Sequence, residues 1–566
     1  MTTSYVPSAT FLGSANWTLA AEYLKRRTSE LYYSSWKIID IPFGQYRIQL
    51  TDEESCLRKN NPNICIFCER IEDFLPESNS QYDESLDTEI YQRIEDYILS
   101  IREARSHLDG IFFIFDFSPA KVFVQSLTDT AYRDHSSLAK LVFNANQKLV
   151  QLSREIADCH ILPLSACLHF KGSENSWSLK YWSLGRFPYT PEFSDMLIDC
   201  MISAHQALLG KTARVLILDL DNTLWGGIIG DDGISGIKLG SDYPGNVFIA
   251  VQHVVKALAM RGIILAICSK NTENIALQAI NGHPDMILRE DDFLIKKINW
   301  LSKSDNIREI AQEIGVGLSS LCFIDDSLYE REEVRSSLPE VIVPELPDDI
   351  TEYADFIASL PCFASISLTD EDKVRGTNYK SRQLALLDKN KFSSKLDYLK
   401  SLQMKLSFTP ISDSNKQRIL QLIAKTNQFN TTTRRHSEVE LDRLQSNGSH
   451  IAAISLSDRY SNNEIIGVLI LQPQDNDVLD IETFILSCRV LGRGIETGAL
   501  VWAMNYAKAN GFNALRGLFI PTERNKPAAD IYSKHGFTLS CNNEYYYNLK
   551  INDAITPEWL EVSNDV

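Results

Sequence analysis

Four short apolar runs in the middle of this chain each end in polar residues: RVLILDLD (214–221), GIILAICSKN (262–271), DMILRED (285–291) and LCFIDDS (321–327). Helical patterns such as NVFIAVQHVVKALAMRG and SDNIREIAQEIGV separate them. Near-continuous apolar strands alternating with helices predict a doubly wound parallel sheet over 211–350, covered on both faces. A sheet of that kind gathers its site at the carboxyl ends of its strands, where these polar residues fall.

The flanking regions predict further domains. Residues 1–205 carry mixed α/β signals, with KIIDIPFG, NICIFCER and GIFFIFDFS as strands around the amphipathic TEIYQRIEDYILSIREAR. Residues 351–403 read as a helical connector. From MKLSFTPIS through HIAAISLSD, EIIGVLILQP and VLDIETFILSCRV to ALRGLFI, residues 404–552 read as a third α/β domain of different topology. A multidomain α/β chain fits the length of 566 residues, too long for one core. The net charge of -18 argues against nucleic acid as a general partner. No secretory signal or membrane-length apolar run is visible, and the 11 scattered cysteines suit free thiols in a reducing cytoplasm. The one C-x-x-C pair, Cys65 and Cys68, lies within an apolar strand pattern and has no second pair at zinc spacing.

The strand ends of 211–350 carry the chemistry. Asp219 and Asp221 end the first strand, Ser269-Lys270-Asn271 the second, and Asp325-Asp326 a later one, while Lys303 opens the helix of INWLSKSDNIREIA. Converging carboxylates repel unless a cation neutralises them, and an oxygen-only set suits Mg²⁺. The hydroxyl of Ser269 and the ammonium of Lys303 are placed to hold a phosphoryl group.

This constellation resembles the haloacid dehalogenase superfamily of aspartyl-phosphate phosphohydrolases. The resemblance implies Asp219 as nucleophile, Asp221 as acid/base, and Thr223 as the residue positioning the loop. It implies Ser269, Lys270, Asn271 and Lys303 as phosphate ligands, and Asp219, Asp221, Asp325 and Asp326 as the metal shell. Between Asn222 and Val247 there is room for a β-hairpin flap and not for a cap domain, so an open site is expected.

Downstream, CRVLGRGIETGALV places an R-x-x-G-x-G pattern, Arg489 to Gly494, between an apolar strand and a helix. Helix-start amides beside glycines bind phosphates. The pattern resembles the acyl-CoA loop of the GNAT-type N-acetyltransferase fold, and PTERNKPAADIYSKHGF, with Asn525 and Tyr532, resembles its late helix. Arg489, Gly492, Arg493 and Gly494 are thus the expected CoA or phosphopantetheine ligands.

Taken together, LDLDNTLWGGIIGDDGISGIKLG, AICSKN, INWLSKSDNIREIA, FIDDSLYEREEVR, LTDEDKVRGTNY, KTNQFNTTTRR and SCRVLGRGIE resemble the FkbH-like family along nearly the whole chain. That resemblance implies removal of phosphate from 1,3-bisphosphoglycerate and loading of the glyceryl unit onto an acyl carrier protein for polyketide- or tetronate-type products. It also implies an SGNH-hydrolase-like, flavodoxin-like N-terminal domain. Candidate acyl-bearing thiols are Cys488 and Cys268. Two departures stand out: DDS replaces a motif in which members usually carry Asn, and FLGSANW lacks a G-D-S nucleophile, so Ser14, His135 and His169 read as ordinary residues. The competing reading is a phosphatase fused to an acetyl-CoA-dependent N-acetyltransferase.

Overall fold

The computed structural model describes residues 6–563 apart from 33, 76–86, 120–137, 367–391, 393, 427, 475–476, 541–543 and 550–554. His135 and LTDEDKVRGTNY lie outside the described residues, as does the Arg489 side chain. Two compact units emerge, Met1–His205 with 437–439, and Gln206–His436 with 440–566. No helix among the described residues is long and apolar enough to cross a membrane.

In the first unit, β1 (Ser8–Leu12), β2 (Lys37–Ile38), β3 (Ile64–Phe67), β4 (Ile111–Phe115) and β5 (Cys159–Leu162) form a parallel sheet ordered β2-β1-β3-β4-β5. Ile64, Cys65, Ile66 and Phe67 are all buried, as expected of a strand covered on both faces. The helix Leu138–Glu155 shows why the layer closes: Leu138, Leu141, Ala145, Leu149 and Leu152 recur on one face and are buried. Each such leucine contributes about 2 kcal/mol by leaving water. Cys65 and Cys68 are buried free thiols.

The second unit holds two sheets. The strands β6 (Val215–Leu218), β7 (Ile264–Ser269), β8 (Phe293–Ile298) and β9 (Leu321–Ile324) are parallel in the order β8-β7-β6-β9. This is the Rossmann-like haloacid dehalogenase fold without a large cap. One expected strand moves: DMILRED is a loop ending in a 3-10 turn, Glu290–Asp292, and FLIKKI after it is the strand. Met286 and Leu288 are buried without sheet pairing because Gln252 Oε1 accepts the amides of Ile287 and Leu288 at 2.8 and 3.0 Å. A side-chain acceptor satisfies that buried backbone in place of a ladder.

The other sheet contains β10 (Met404–Pro410), β11 (His450–Asp458), β12 (Ser461–Gln474), β13 (Val478–Leu486), β14 (Ala514–Leu518), β15 (Thr538–Leu539), β16 (Glu544–Asn548) and β17 (Leu560–Val562). Its order is β15-β16-β14-β13-β12-β11-β10-β17, antiparallel except where β13 meets β14 and β10 meets β17. This is the GNAT fold. The helix Ile495–Ala509 that follows the glycine loop packs Ile495, Ala499, Leu500 and Trp502 into the core.

Candidate active site

Asp219 follows β6 directly, and Leu220 is buried beside it while Asp221 turns into the next loop. Ser302 caps the helix Lys303–Ile314 by accepting the Asp305 amide, and this seats Lys303 at the first helical position. The Lys303 ammonium donates to Asp219 Oδ1 at 2.8 Å and to Asp325 Oδ2. All three side chains are buried, Lys303 at 3% exposure and Asp325 at 0%. Ligand oxygens of Asp219, Asp325 and Asp326 lie within 4.8 Å of one another. Three carboxylates face one ammonium here, and the all-oxygen donor set fits a Mg²⁺ ion.

The electrostatics agree with that imbalance. Burial opposes the charge of Lys303, but Asp219 and Asp325 outweigh it and hold its pKa above the ordinary value. Burial and the charge of Asp219 push Asp325 up to about 7, against the pull of Lys303. The same two causes push Asp326 up to about 6. A divalent cation removes the repulsion that these shifts record.

The flap is a tight hairpin. Gly226 and Lys238 exchange backbone bonds of 3.1 and 2.7 Å around the short helix Ile229–Asp232. Gly227 has φ +95, and a Cβ there would stand 2.4 Å from Asp232 Oδ2, so the turn requires glycine. Asn222 adopts φ +51 and accepts the Gly227 amide at 2.9 Å.

Several expected site residues have partners within the protein. Asp221 is expected to offer a metal its backbone carbonyl, and its carboxylate stands outside the cluster of Asp219, Asp325 and Asp326. It accepts from Trp225 Nε1 at 2.8 Å, Ile229 N at 3.0 Å and Asn271 Nδ2 at 2.8 Å, which aims it at the flap. Burial raises its pKa above the ordinary carboxylate value. Asn271 thereby orients Asp221. Lys270 is paired with Glu330 at 2.6 Å. Cys268 is fully buried with Sγ against the Lys303 carbonyl, and burial pushes its thiol up to about 12, the opposite of an activated nucleophile. Ser269 is buried at the end of β7, and the buried Thr223 hydroxyl has no hydrogen-bond partner among the described residues.

Sequence reasoning missed Trp225 and Arg331. Trp225 is fully buried, and its ring nitrogen fixes Asp221. The buried Arg331 donates to the carbonyls of Asp325 and Asp326 at 2.8 and 2.7 Å and so fixes that loop. Its signal was the helix-start pattern of FIDDSLYEREEVR, which places position 331 one turn after the aspartates.

In the eight-stranded sheet, Cys488 is exposed at the start of a 3-10 turn, Cys488–Val490, just past β13. Gly494 caps the following helix with φ +89. The Gly492 amide donates to Glu496 Oε1 at 2.6 Å, Arg493 lies 3.5 Å from Asp458, and Trp559 Nε1 donates to the Arg493 carbonyl at 2.8 Å. Asn525 is fully buried, accepting the Thr522 amide and donating to the carbonyls of Asn430 and Ile520. Tyr532 packs its ring on Gly517, where a Cβ would come within 2.4 Å. A further cluster escaped the sequence reading: His436 Nε2 lies 3.1 Å from Glu482 Oε2 and 3.0 Å from Thr483 Oγ1, and Arg434 donates to Glu482 Oε1 at 2.5 Å. In the first unit, Ser14 Oγ and Tyr46 Oη donate to the buried Glu69 at 2.7 and 2.6 Å; His169 is exposed on the helix Leu164–Lys171.

Comparison with known proteins joins two themes on one chain. Residues 417–537 match the model of the acetyltransferase (GNAT) family. The chain is similar to the crystal structure of the N-terminal part of the protein BF1531 from Bacteroides fragilis, which contains a phosphatase domain complexed with Mg. The identity is 27% and the TM-score 0.58, covering 64% of this chain and 95% of that one. A GNAT-family acetyltransferase from Staphylococcus aureus Mu50 overlaps at 15% identity and TM-score 0.21, covering 25% of this chain and 99% of that one. A GNAT-family acetyltransferase from Elizabethkingia anophelis with acetyl-CoA bound overlaps at 17% identity and TM-score 0.19, covering 24% and 77%. No curated protein matches.

Proposed function

We propose that the chain is a Mg²⁺-dependent phosphatase coupled to acyl transfer. It takes a phosphorylated three-carbon acyl donor, 1,3-bisphosphoglycerate, removes phosphate, and loads the glyceryl unit as a thioester on the phosphopantetheine arm of an acyl carrier protein. The observation that carries the phosphatase half is the buried Asp219–Lys303–Asp325 contact beside Asp326. The likeness to a Mg-bound phosphatase domain supports it. The acyl half rests on the GNAT match over 417–537 together with the FkbH-like motifs.

In this reading an Asp219 oxygen attacks the phosphorus of the 3-phosphate in line, and its bond to the C3 oxygen breaks. Asp221, whose pKa burial raises, is the acid that gives its proton to that departing oxygen. Asp221 then takes a proton from the water that cleaves the aspartyl phosphate. Lys303 neutralises charge on the transferring group and keeps Asp219 oriented. A Mg²⁺ held by Asp219, Asp325 and Asp326 would supply further charge stabilisation at the phosphoryl oxygens. For acyl transfer, the Cys488 thiol attacks the carbonyl of the acyl phosphate, and its proton leaves with the inorganic phosphate. The thioester then passes to the carrier thiol.

Asp219→Asn should abolish phosphate release, by about a thousandfold or more, while thermal melting stays cooperative. Unchanged release would remove the nucleophile assignment. Intact mass after incubation with 1,3-bisphosphoglycerate should show a glyceryl adduct that Cys488→Ala loses; an adduct that persists would move the acyl site elsewhere. The second reading, acetyl transfer from acetyl-CoA to an amine, is favoured by the GNAT match alone. It wins if acetyl-CoA is consumed and no glyceryl loading of holo carrier protein occurs.

A further inference from the structure

A GNAT-type domain implies a CoA ligand, and the residues of this chain do not fit one. A diphosphate at a helix start needs free amides and no competing anion. Here the Gly492 amide already donates to the Glu496 carboxylate at 2.6 Å, so the loop carries its own anion. Trp559 covers the far side, donating to the Arg493 carbonyl at 2.8 Å and standing 3.2 Å from where a Cβ on Gly494 would lie. Arg493 faces Asp458 at 3.5 Å, so its charge is also partly met.

A second observation is independent of the loop. β13 pairs with β14 only from Val478 to Ile481; beyond that the two strands part. An open strand edge of that kind takes an extended amide-bearing chain. In this protein residues 429–431 fill it. Leu486 N donates to Phe429 O and Thr431 N donates to Phe484 O, both at 3.1 Å, with a bridge between Asn430 and Ile485. On the other side Ile520 N donates to Thr431 O at 2.8 Å, and Asn525 Nδ2 to Asn430 O at 3.0 Å. Phe429, Asn430 and Thr431 are at most 2% exposed. The gap is closed by the chain itself.

We propose that Glu496 and the extended segment Phe429–Thr431 together exclude free acyl-CoA from the C-terminal domain. Glu496 is the specificity determinant at the loop, and the inserted segment takes the backbone partners of an arm lying in the gap. A carrier-borne arm keeps its phosphodiester at the carrier surface, needs no anion site here, and has to reach the exposed Cys488 from outside the filled gap. That carrier clause rests on the proposed function; the exclusion of CoA does not.

The test is isothermal titration of the full chain with coenzyme A and with adenosine 3′-phosphate 5′-diphosphate, which is coenzyme A without its arm. The unmodified protein should bind neither at micromolar concentration. Glu496→Ala and Glu496→Gln should each bind the diphosphate at least about tenfold more tightly than the unmodified protein. Glu496→Gln keeps an acceptor for the Gly492 amide and so guards against a loss of folding. In both variants coenzyme A should bind no more tightly than the armless diphosphate. Micromolar binding of coenzyme A by the unmodified protein, or no gain in either variant, would overturn the role of Glu496. Coenzyme A binding about tenfold tighter than the diphosphate would overturn that of the segment. Phosphate release, measured on the same preparations, reads the Asp219 site separately, so its absence would count against the proposed function and leave the titration result standing.

Discussion

The two sheets of the second unit handle buried charge in opposite ways. At the carboxyl ends of the four-stranded sheet, Asp219, Asp325 and Asp326 converge on a single ammonium, and negative charge is left over. In the eight-stranded sheet the charges are met within the protein. Glu482 is shared between Arg434 and His436, Asp480 between both ends of the Arg516 guanidinium, and Glu496 satisfies the glycine loop. Unbalanced charge in a buried site is expensive, so its retention points to a ligand that balances it. Balanced charge needs no such ligand. A glycine loop and an aspartate pair look equally suggestive as strings of letters, yet one gathers carboxylates in excess of its cation and the other meets its own Glu496 side chain.

The largest effect that sharpens this contrast is expected from Lys303→Met. Removing the ammonium leaves Asp219 and Asp325 facing each other in a buried site, at a cost of about 3–5 kcal/mol in denaturant titrations with chelator present. Added Mg²⁺ should recover part of that loss. A variant as stable as the parent in chelator would mean that the site is not charge-frustrated.

Next comes Glu482→Gln. Burial alone would raise the Glu482 pKa, but hydrogen bonds and charge from His436, with Thr483 and Arg434, bring it down to about 2 from an ordinary 4.5. A depressed carboxylate stabilises the fold above its unfolded pKa and loses that contribution as pH falls. The stabilisation, about 3 kcal/mol at most, should therefore be complete near pH 7 and vanish between about pH 4.5 and pH 2. Melting curves of parent and variant should differ at neutral pH and converge near pH 2. A constant difference across that range would show that the cluster is not held by charge.

The smallest effect belongs to Trp225→Phe. It removes one hydrogen bond to Asp221 and keeps the buried ring, so kcat for phosphate release should fall about tenfold with KM little changed. A rise in KM alone would place Asp221 in binding rather than in proton transfer.

Much of this was legible in the letters. Apolar runs ending in Asp219, Ser269 and Asp325 marked three of the four parallel strands, because a strand buried on both faces must be apolar until it emerges. The short interval between Asn222 and Val247 foretold a hairpin in place of a cap. The fourth strand was misplaced from FLIKKI to DMILRED, because a buried loop held by Gln252 is as apolar as a strand and periodicity alone does not separate them. Lys270 and Asn271 lay in the right motif, but their targets were set by Glu330 and Asp221, residues 60 and 50 positions away.

By itself, then, the sequence determined where strands end, which polar groups stand at those ends, and that the middle of the chain carries an oxygen-rich site beside a lysine. These follow from local rules of alternation, capping and turn chemistry. Only the tertiary structure decided that the Asp221 carboxylate turns to Trp225 and away from Asp325 and Asp326, that Cys268 is sealed in the core, and that residues 429–431 enter the gap beside β13. Those outcomes depend on which distant groups packing brings within hydrogen-bond reach, and no local spacing encodes that.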